Sequence, residues 1–444
     1  MPRTEDVRFQ GHFGRAAQLA TLAIAGQGLF YLLTVVLARR LGVDGFEAYS
    51  VAVAAVVLLA SFATLGLEKY AMRVLPSLIE RGDWARARGY VRFALRRTLW
   101  TSLLAATVLG VGWSWWATDT PAAARLAVAA GCLALPAVAL VQYGVDVLSA
   151  TGHEIRATAI YRVAIPAAAV VLVGLVLYLP FEIRGATAVA CWGLAWGLGL
   201  AMMAIEIRRT TPPAVWAAAP QVEARTWHRE ALPFLAYSLS LTFLAQVGVI
   251  ALDRLQPSAA AVGAYAAASG TANLVVVLAT ATNRFYAPRL SMLLERRDFA
   301  SILRLRRERL RWLLPAVAAF LALVFGFGRE ILALFRPEFV DEGLVALPVL
   351  ATAAAFTVLF SLSPTYLKYV KRNHLVLGTA AGAAAAQAVL LVALVPRFGA
   401  TGAAIAYAVS MCGMYGVFWR VAVREVVRLR ADAAGGGASE IPDP

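Results

Sequence analysis

Twelve stretches of this sequence are each apolar over about the 20 residues that a helix needs to cross a bilayer. Only 15% of all residues are charged and the mean hydropathy is +0.70, whereas soluble domains carry about 25% charged residues. Because a lipid-exposed strand leaves backbone groups unsatisfied, each stretch must be helical. The sequence therefore predicts an all-α polytopic membrane protein with about 12 transmembrane helices. The predicted spans are 15–38, 46–67, 93–116, 124–148, 156–179, 185–206, 231–252, 259–283, 311–333, 343–367, 374–395 and 399–422.

Positive charge is distributed very unevenly between the two ends of these spans. If the N-terminus is cytoplasmic, alternate ends collect 33 of the 41 Lys and Arg residues. That asymmetry is typical of loops that face the cytoplasm, and it places both termini there. The net charge of +15 thus reflects topology and attraction to anionic membrane lipids, and nucleic acid is not an expected partner. We predict a multi-pass membrane protein with both termini in the cytoplasm.

Two similar polar turns indicate an internal duplication. LIERGDW at Leu78–Trp84 returns as LLERRDF at Leu293–Phe299, 215 residues later. Arg39 and Arg254 have the same offset, and GAT at 185–187 recurs at 399–401. Matches in order at nearly constant spacing indicate a repeat. With six spans each, two lobes are related by a pseudo-two-fold axis along the membrane normal. The predicted units are an N-terminal six-helix lobe (1–206), a cytoplasmic linker (207–230), a C-terminal six-helix lobe (231–422) and a largely disordered cytoplasmic tail (423–444).

The sequence offers little catalytic or metal-binding chemistry. The three cysteines lie within predicted spans, the four histidines are scattered, and no phosphate-binding G-x-x-x-x-G-K-[ST] motif occurs. We therefore expect no catalytic residues, no metal and no cofactor, and a chain that is not an enzyme. The chain is expected to act as a monomer.

Polar side chains at membrane depth are costly and often functional. We predict that Gln27, Gln246, Asn273 and Gln387 line a central cavity, although hydrogen bonds between helices explain such residues equally well. Asp146 and Arg162 lie near cytoplasmic ends of spans, where snorkelling to water accounts for them. Three arginines belong to the arginine-poor outer side, where their guanidinium groups can receive a diphosphate or simply anchor the interface. They are Arg39, Arg40 and Arg254.

Several segments resemble those of a known family. LARRLGVDGFEAYSVAVA (37–54), LGLEKYAMR (65–73), VGAYAAA (262–268), APRLSML (287–293) and FGATGAAIAYAVS (398–410) are similar to polysaccharide transporters, which include the Wzx-type O-antigen flippases. These belong to the multidrug/oligosaccharidyl-lipid/polysaccharide exporter superfamily. The resemblance implies twelve helices in two lobes and the flipping of an undecaprenyl-diphosphate-linked saccharide to the outer leaflet, for O-antigen and lipopolysaccharide biosynthesis. It also implies cationic residues in the lumen and a location in the bacterial cytoplasmic (inner) membrane.

Three interpretations of function remain open. The first is a flippase for a lipid-linked oligosaccharide that works by alternating access. The second is a cation-coupled multidrug exporter of the same superfamily, for which H⁺ or Na⁺ would be a further partner. Such an exporter is expected to place a carboxylate within an early span of a lobe, and the first and seventh spans have none before Asp253. The third is a membrane-embedded glycosyltransferase or polymerase, which the short outer loops disfavour.

Overall fold

The computed structural model describes residues 4–116, 121–178, 183–256, 258–296 and 298–434. These residues form sixteen α-helices, with no strand among them. The first half contains α1 (Thr4–Ala63), α2 (Leu67–Glu80), α3 (Trp84–Trp116), α4 (Ala122–Ala150), α5 (Glu154–Ala159), a π-helical segment (Ile160–Ala164), α6 (Ile165–Tyr178), α7 (Gly185–Thr210) and α8 (Pro213–Ala217). The second half contains α9 (Ala224–Leu255), α10 (Ala259–Ala272), a 3₁₀ turn (Asn273–Val275), α11 (Val276–Glu295), α12 (Phe299–Phe335), α13 (Phe339–Gly343), α14 (Ala346–Phe360), α15 (Ser363–Tyr369) and α16 (Asn373–Ala434).

The predicted number of membrane spans is confirmed. Nine stretches of the described residues are long and apolar enough to cross a membrane. Two of these, Ala17–Ala63 and Asn373–Leu429, are divided by a glycine with non-helical dihedral angles, so each contains two spans. The 33-residue α3 adds another, which gives about twelve spans in an all-helical fold.

Gly42 and Gly399 make the two sharp reversals possible. Gly42 has φ 74° and ψ 178°, and Gly399 has φ 53° and ψ −131°. Side chains with a Cβ atom are strongly disfavoured in this part of conformational space. Each glycine therefore lets one span end and the next begin without a loop.

Replacing Gly42 with alanine is expected to destabilise the protein by about 1–3 kcal/mol, because the new Cβ strains the φ 74° conformation. Gly28→Ala in the same helix is the matched control, since a Cβ there meets nothing within 4 Å. The midpoint of thermal unfolding in detergent measures both effects. Equal midpoints for the two variants would show that the backbone at Gly42 is not strained.

The duplicated turns adopt the same structure in both halves. Helix α2 ends at Glu80 and α11 at Glu295, while α3 begins at Trp84 and α12 at Phe299, and both pairs are 215 residues apart. Oδ1 of Asp83 accepts from the backbone N–H of Arg86 at 3.1 Å, and Oδ1 of Asp298 accepts from Ser301 at 3.0 Å. The repeated aspartate thus satisfies a free amide at the start of a helix. We call the end of the bundle that carries these two turns the elbow end.

Three predicted spans are interrupted in ways that hydropathy did not indicate. A π-helical segment divides span 156–179, a 3₁₀ turn divides span 259–283, and span 343–367 breaks between α14 and α15. The interruptions replace regular α-helical backbone hydrogen bonds at these three points. They are tertiary effects that leave the apolar pattern of the sequence unchanged.

The predicted linker and tail also contain more structure than expected. Within 207–230, α8 packs on α3, Val215 is buried, and the N–H of Gln221 donates to Ala85 O at 3.0 Å. Helix α16 continues through 423–434, where disorder was predicted. The rest of the predicted tail, 435–444, lies outside the described residues. The boundaries of the two predicted lobes remain a prediction.

Helix α1 makes the most extensive contact between the two halves. Helix α1 packs against α4 and α7 of its own half and against α9, α10 and α11 of the other half. The largest cluster of buried apolar side chains spans both halves, and its members include Phe46, Val56, Tyr265 and Phe339. Small residues such as Ala264 and Ala268 allow the helices to approach closely there. This arrangement leaves a space between the halves on one side of α1.

Candidate functional site: a cavity between the two halves

A cavity of about 470 Å³ lies between the two halves of the chain. Its walls come from both parts of α1, from the π-helical segment and α6, from α7, and from α9, α10 and α11. Along α1 the lining runs from Ala23 to Val57. Since both halves contribute side chains, a relative movement of the halves would reshape the site.

The structure places three of the four polar residues in the lining of this cavity, and their binding of a substrate stays a prediction. Gln27, Gln246 and Asn273 are all in the lining, and Asn273 begins the 3₁₀ turn that interrupts α10 and α11. Gln387 is placed elsewhere. It is fully buried against α9, and its Nε2 donates to Leu244 O at 3.1 Å. A hydrogen bond between helices, the alternative explanation, describes its position.

Arg162 is the cationic member of the cavity lining, and the sequence-based set did not include it. It belongs to the π-helical segment and is exposed to the cavity. Its backbone oxygen is so close to α1 that a Cβ on Gly26 would lie 1.8 Å from it. The glycine thus lets the π segment press against α1 beside Gln27. The sequence signal was a lone arginine within a predicted span, which snorkelling explained equally well.

Aromatic side chains form one wall of the cavity beside Arg162. Its guanidinium carbon lies 5.1 Å from the ring centroid of Tyr161. Tyr161 meets Trp196 edge-on at 5.8 Å, and Trp196 lies 5.5 Å from Trp192. Tyrosine and tryptophan combine an apolar face with a polar atom, so they suit ligands that are themselves amphipathic. Among the described lining residues none carries a carboxylate.

The end opposite the elbow is closed by contacts between the two halves. The hydroxyl of Tyr31 lies 3.2 Å from that of Thr271, and its ring packs edge-on against Phe335 at 5.4 Å. The rings of Phe46 and Phe339, both fully buried, are 5.7 Å apart. Tightly packed aromatic rings exclude water. The cavity is therefore separated from solvent on this side.

Arg39 and Arg254, predicted at this end, occupy equivalent places in their halves. Arg39 on α1 donates from Nε to Leu334 O on α12 at 2.6 Å. Arg254 on α9 lies over the ring of Trp113 on α3, at 3.9 Å. Helix α9 corresponds to the first part of α1, and α12 corresponds to α3. Each arginine thus reaches across to the opposite half, while Arg40 is exposed.

The elbow end has a different charge pattern. Lys69 on α2 forms an ion pair with Asp146 on α4, with 2.6 Å between Nζ and Oδ2. Lys368 on α15 is close enough for its charge to interact with that of Lys69, and Nζ of Lys368 lies 4.1 Å from the ring centroid of Tyr237. Each half therefore contributes one ammonium group to this end of the bundle. No cluster of metal-binding side chains occurs among the described residues.

The fold and the central cavity define a class of protein: a two-lobed helical membrane protein with an interlobe cavity. No family model matches the sequence, and no curated protein matches it either.

Solved structures do match the fold. One is the inward-facing conformation of a multidrug resistance MATE family transporter of the MOP superfamily, with TM-score 0.73, 14% identity, and coverage of 91% of this chain and 96% of that one. An outward-facing conformation of such a transporter gives TM-score 0.62 at 13% identity, with 95% and 97% coverage. A MOP superfamily transporter from Pyrococcus furiosus, described as having a binding pocket of reverse polarity that suggests a different function, also gives 0.62 at 13%, with 94% and 97% coverage.

These similarities establish that the chain has the fold of MATE transporters of the MOP superfamily, in two lobes with about twelve transmembrane helices. The predicted fold class is thus confirmed. The finer resemblance to Wzx-type flippases goes beyond what a shared fold can show.

Proposed function

We propose that the protein is a membrane transporter that works by alternating access, and that it moves an anionic, polyprenyl-diphosphate-linked oligosaccharide across the cytoplasmic membrane. The observation that carries the proposal is the cavity lining, which combines Arg162 with amide and aromatic side chains and no carboxylate among its described members. A guanidinium group binds phosphate oxygens through charge-assisted hydrogen bonds. The amides and aromatic faces offer partners to sugar hydroxyls and ring surfaces.

The fold supports the transport step. The cavity is closed at the end that carries Arg39 and Arg254, and the solved inward-facing structure fits this chain better (TM-score 0.73) than the outward-facing one (0.62). We assign the elbow end to the cytoplasm, because that orientation places the arginine-rich loops inside. Lys69 and Lys368 then face an incoming substrate. A bound diphosphate would neutralise their repulsion and draw the two halves together.

A multidrug exporter is the second candidate, since several neighbours with this fold are described as multidrug resistance transporters. A cationic drug requires a carboxylate or a cation–π site to offset its charge. The tryptophans of the aromatic wall supply the second of these, while Arg162 opposes cation binding.

Ligand binding to the purified protein distinguishes the two candidates. Trp192 and Trp196 line the cavity, so their fluorescence reports occupancy. A polyprenyl-diphosphate-linked saccharide is expected to quench this fluorescence saturably, whereas a lipophilic organic cation is not. Polyprenol-linked saccharide without phosphate serves as the control for the lipid tail. Saturable quenching by the cation alone would reverse the assignment.

The outer contacts should act as a latch. In a background with the three cysteines replaced by alanine, Thr34→Cys places a thiol in the closed cavity. We expect slow labelling of this thiol by an impermeant maleimide in intact cells. Adding Arg39→Ala and Arg254→Ala removes the two arginine contacts between the halves and leaves the aromatic packing in place. The labelling rate is then expected to rise about tenfold, as a loss of about 1.4 kcal/mol would produce. Fast labelling before these changes would contradict the orientation, and an unchanged rate after them would contradict the latch.

A further inference from the structure

Glu68 is a buried carboxyl group that the transport model has not used. It stands in the first turn of α2, just after α1 ends, and only 4% of its surface is exposed. Its Oε2 atom is enclosed by protein and receives no hydrogen bond. The neighbouring hydroxyl of Thr64 already donates its proton to Ser61 O at 2.9 Å. An ionised carboxylate left in this state would be costly.

The groups around Glu68 leave it without a cation of its own. Lys69 is the adjacent ammonium group, and it is bound to Asp146 at 2.6 Å. One lysine thus serves two carboxylates, and the cluster would carry a net charge of −1 if both were ionised. A low-dielectric site favours the uptake of one proton in this situation.

Other charged and titratable groups from every neighbouring helix complete the surroundings. Tyr90 on α3 is bonded to Leu67 O, and Arg73 on α2 pairs with Glu230 on α9 at 3.5 Å. Tyr161 in the π segment and Lys368 on α15 are close enough to interact electrostatically with Lys69. None of these cations neutralises Glu68 directly. Burial raises the pKa of Glu68, and the charge of Lys69 opposes this shift only in part.

The cluster also lies where the two halves touch. Gly66, next to α2, has φ 72°, and a Cβ on it would lie 2.4 Å from the backbone nitrogen of Leu235 on α9. The ring centroid of Tyr70, half a turn after Glu68 on α2, lies 6.3 Å from that of Phe234 on α9. Any movement of α9 relative to α2 would therefore change how closely Glu68 is enclosed. Lys69, whose side chain is half exposed, offers a path for water to the site.

We propose that Glu68, together with Lys69 and Asp146, forms a proton-binding site that couples proton uptake to the movement of the two halves. In the arrangement seen here Glu68 holds the proton as a neutral carboxylic acid. When the halves rearrange and water reaches the site, the acid releases H⁺ and Lys69 shares its charge between the two carboxylates. This inference rests on the proposed transport function only for its biological role, since proton binding is measurable without substrate.

Infrared difference spectroscopy on the full-length protein in lipid tests the proton site. A carboxylic-acid carbonyl band is expected to persist near neutral pH and to disappear in Glu68→Gln. Glu80→Gln is the matched control, because Glu80 is on the same helix and exposed. The band should survive that change. A band unaffected by Glu68→Gln, or no acid band near neutral pH, would overturn the proposal.

A second variant keeps the test valid if Glu68→Gln does not fold. Asp146→Asn removes the competing carboxylate and frees Lys69 to pair with Glu68. The acid band should then titrate away at a lower pH than in the parent protein. A band that keeps its midpoint would show that the three residues do not form one site.

Coupling to movement has its own measurement. In the Thr34→Cys background, the maleimide labelling rate in right-side-out vesicles is divided at each pH by the rate of the same thiol in the denatured protein, because a thiolate reacts faster than a thiol. This corrected rate should increase with pH as Glu68 ionises. The variant with Glu68→Gln should lose that dependence, while Glu80→Gln should retain it. If all three proteins show the same pH profile, the site is not coupled to the halves. If the parent protein does not bind the diphosphate-linked saccharide in the fluorescence assay, the proposed function is contradicted. That result would not affect the proton site.

Discussion

Replacing Arg162 with alanine is expected to weaken binding of the diphosphate-linked saccharide by about 10- to 100-fold. Hydrogen bonds to a charged partner are worth about 1.5–3 kcal/mol, and each 1.4 kcal/mol is about a factor of ten in affinity. Arg162 is the cation placed in the cavity by the π-helical segment, beside Tyr161 and Trp196. Arg162→Lys keeps the charge but loses the two-pronged geometry, so we expect an intermediate affinity.

The control for this prediction is Arg156→Ala. Arg156 is six residues earlier, is largely exposed, and forms an ion pair with Glu206 at 2.9 Å outside the cavity lining. Fluorescence titration gives the affinity of all three variants. In cells, surface display of the saccharide should fall in the same order, with membrane abundance held equal. Parent-like affinity of Arg162→Ala would remove the central support for an anionic substrate.

Replacing Arg309 with alanine is expected to cost on the order of 3 kcal/mol of stability, because several buried acceptors would lose their donors. Only 2% of Arg309 is exposed. Its Nη1 donates to Leu359 O at 3.1 Å, and its Nη2 lies 2.7 Å from Ser361 Oγ and 3.0 Å from Asn283 Oδ1. It thereby satisfies the carbonyl groups where α14 ends, at the break before α15.

The matched control is Arg307→Ala, two residues earlier on α12 and exposed. We expect its unfolding midpoint in detergent to equal that of the parent. Arg309→Lys should fall between the two, since a single ammonium group can reach only some of the acceptors. If Arg309→Ala unfolds at the parent temperature, the α14–α15 break does not depend on this side chain.

The sequence by itself was sufficient for the membrane fold. Apolar runs of about 20 residues must be helices in lipid, and the repeated turns around Asp83 and Asp298 revealed the duplication that the helix bounds now display. Such features are local. They depend on the composition of one segment or on the cap of one helix, so no knowledge of neighbours is needed to predict them.

The candidate site was only partly predictable. Gln27, Gln246 and Asn273 were selected because polar groups at membrane depth are rare, and all three line the cavity. Gln387 satisfied the same criterion and forms a hydrogen bond between helices instead. One side chain viewed alone carries no information about which helix face meets a partner and which meets water. That choice is made by the packing of α9 against α16.

The most consequential features were decided by tertiary structure alone. In the sequence, Arg162 looks like a snorkelling residue. In the structure it belongs to a π-helical segment that packs closely against Gly26, and it lines the cavity. In the sequence, Arg309 is one of several basic residues in an arginine-rich segment; in the structure it is buried and donates to α11 and α14. Glu68 borders Lys69 in the sequence, yet Asp146, 77 residues away, takes that lysine. In each case the electrostatic free energy of the side chain depends on its burial and on partners distant in the chain. The sequence determines which charges exist, whereas packing determines which of them are compensated.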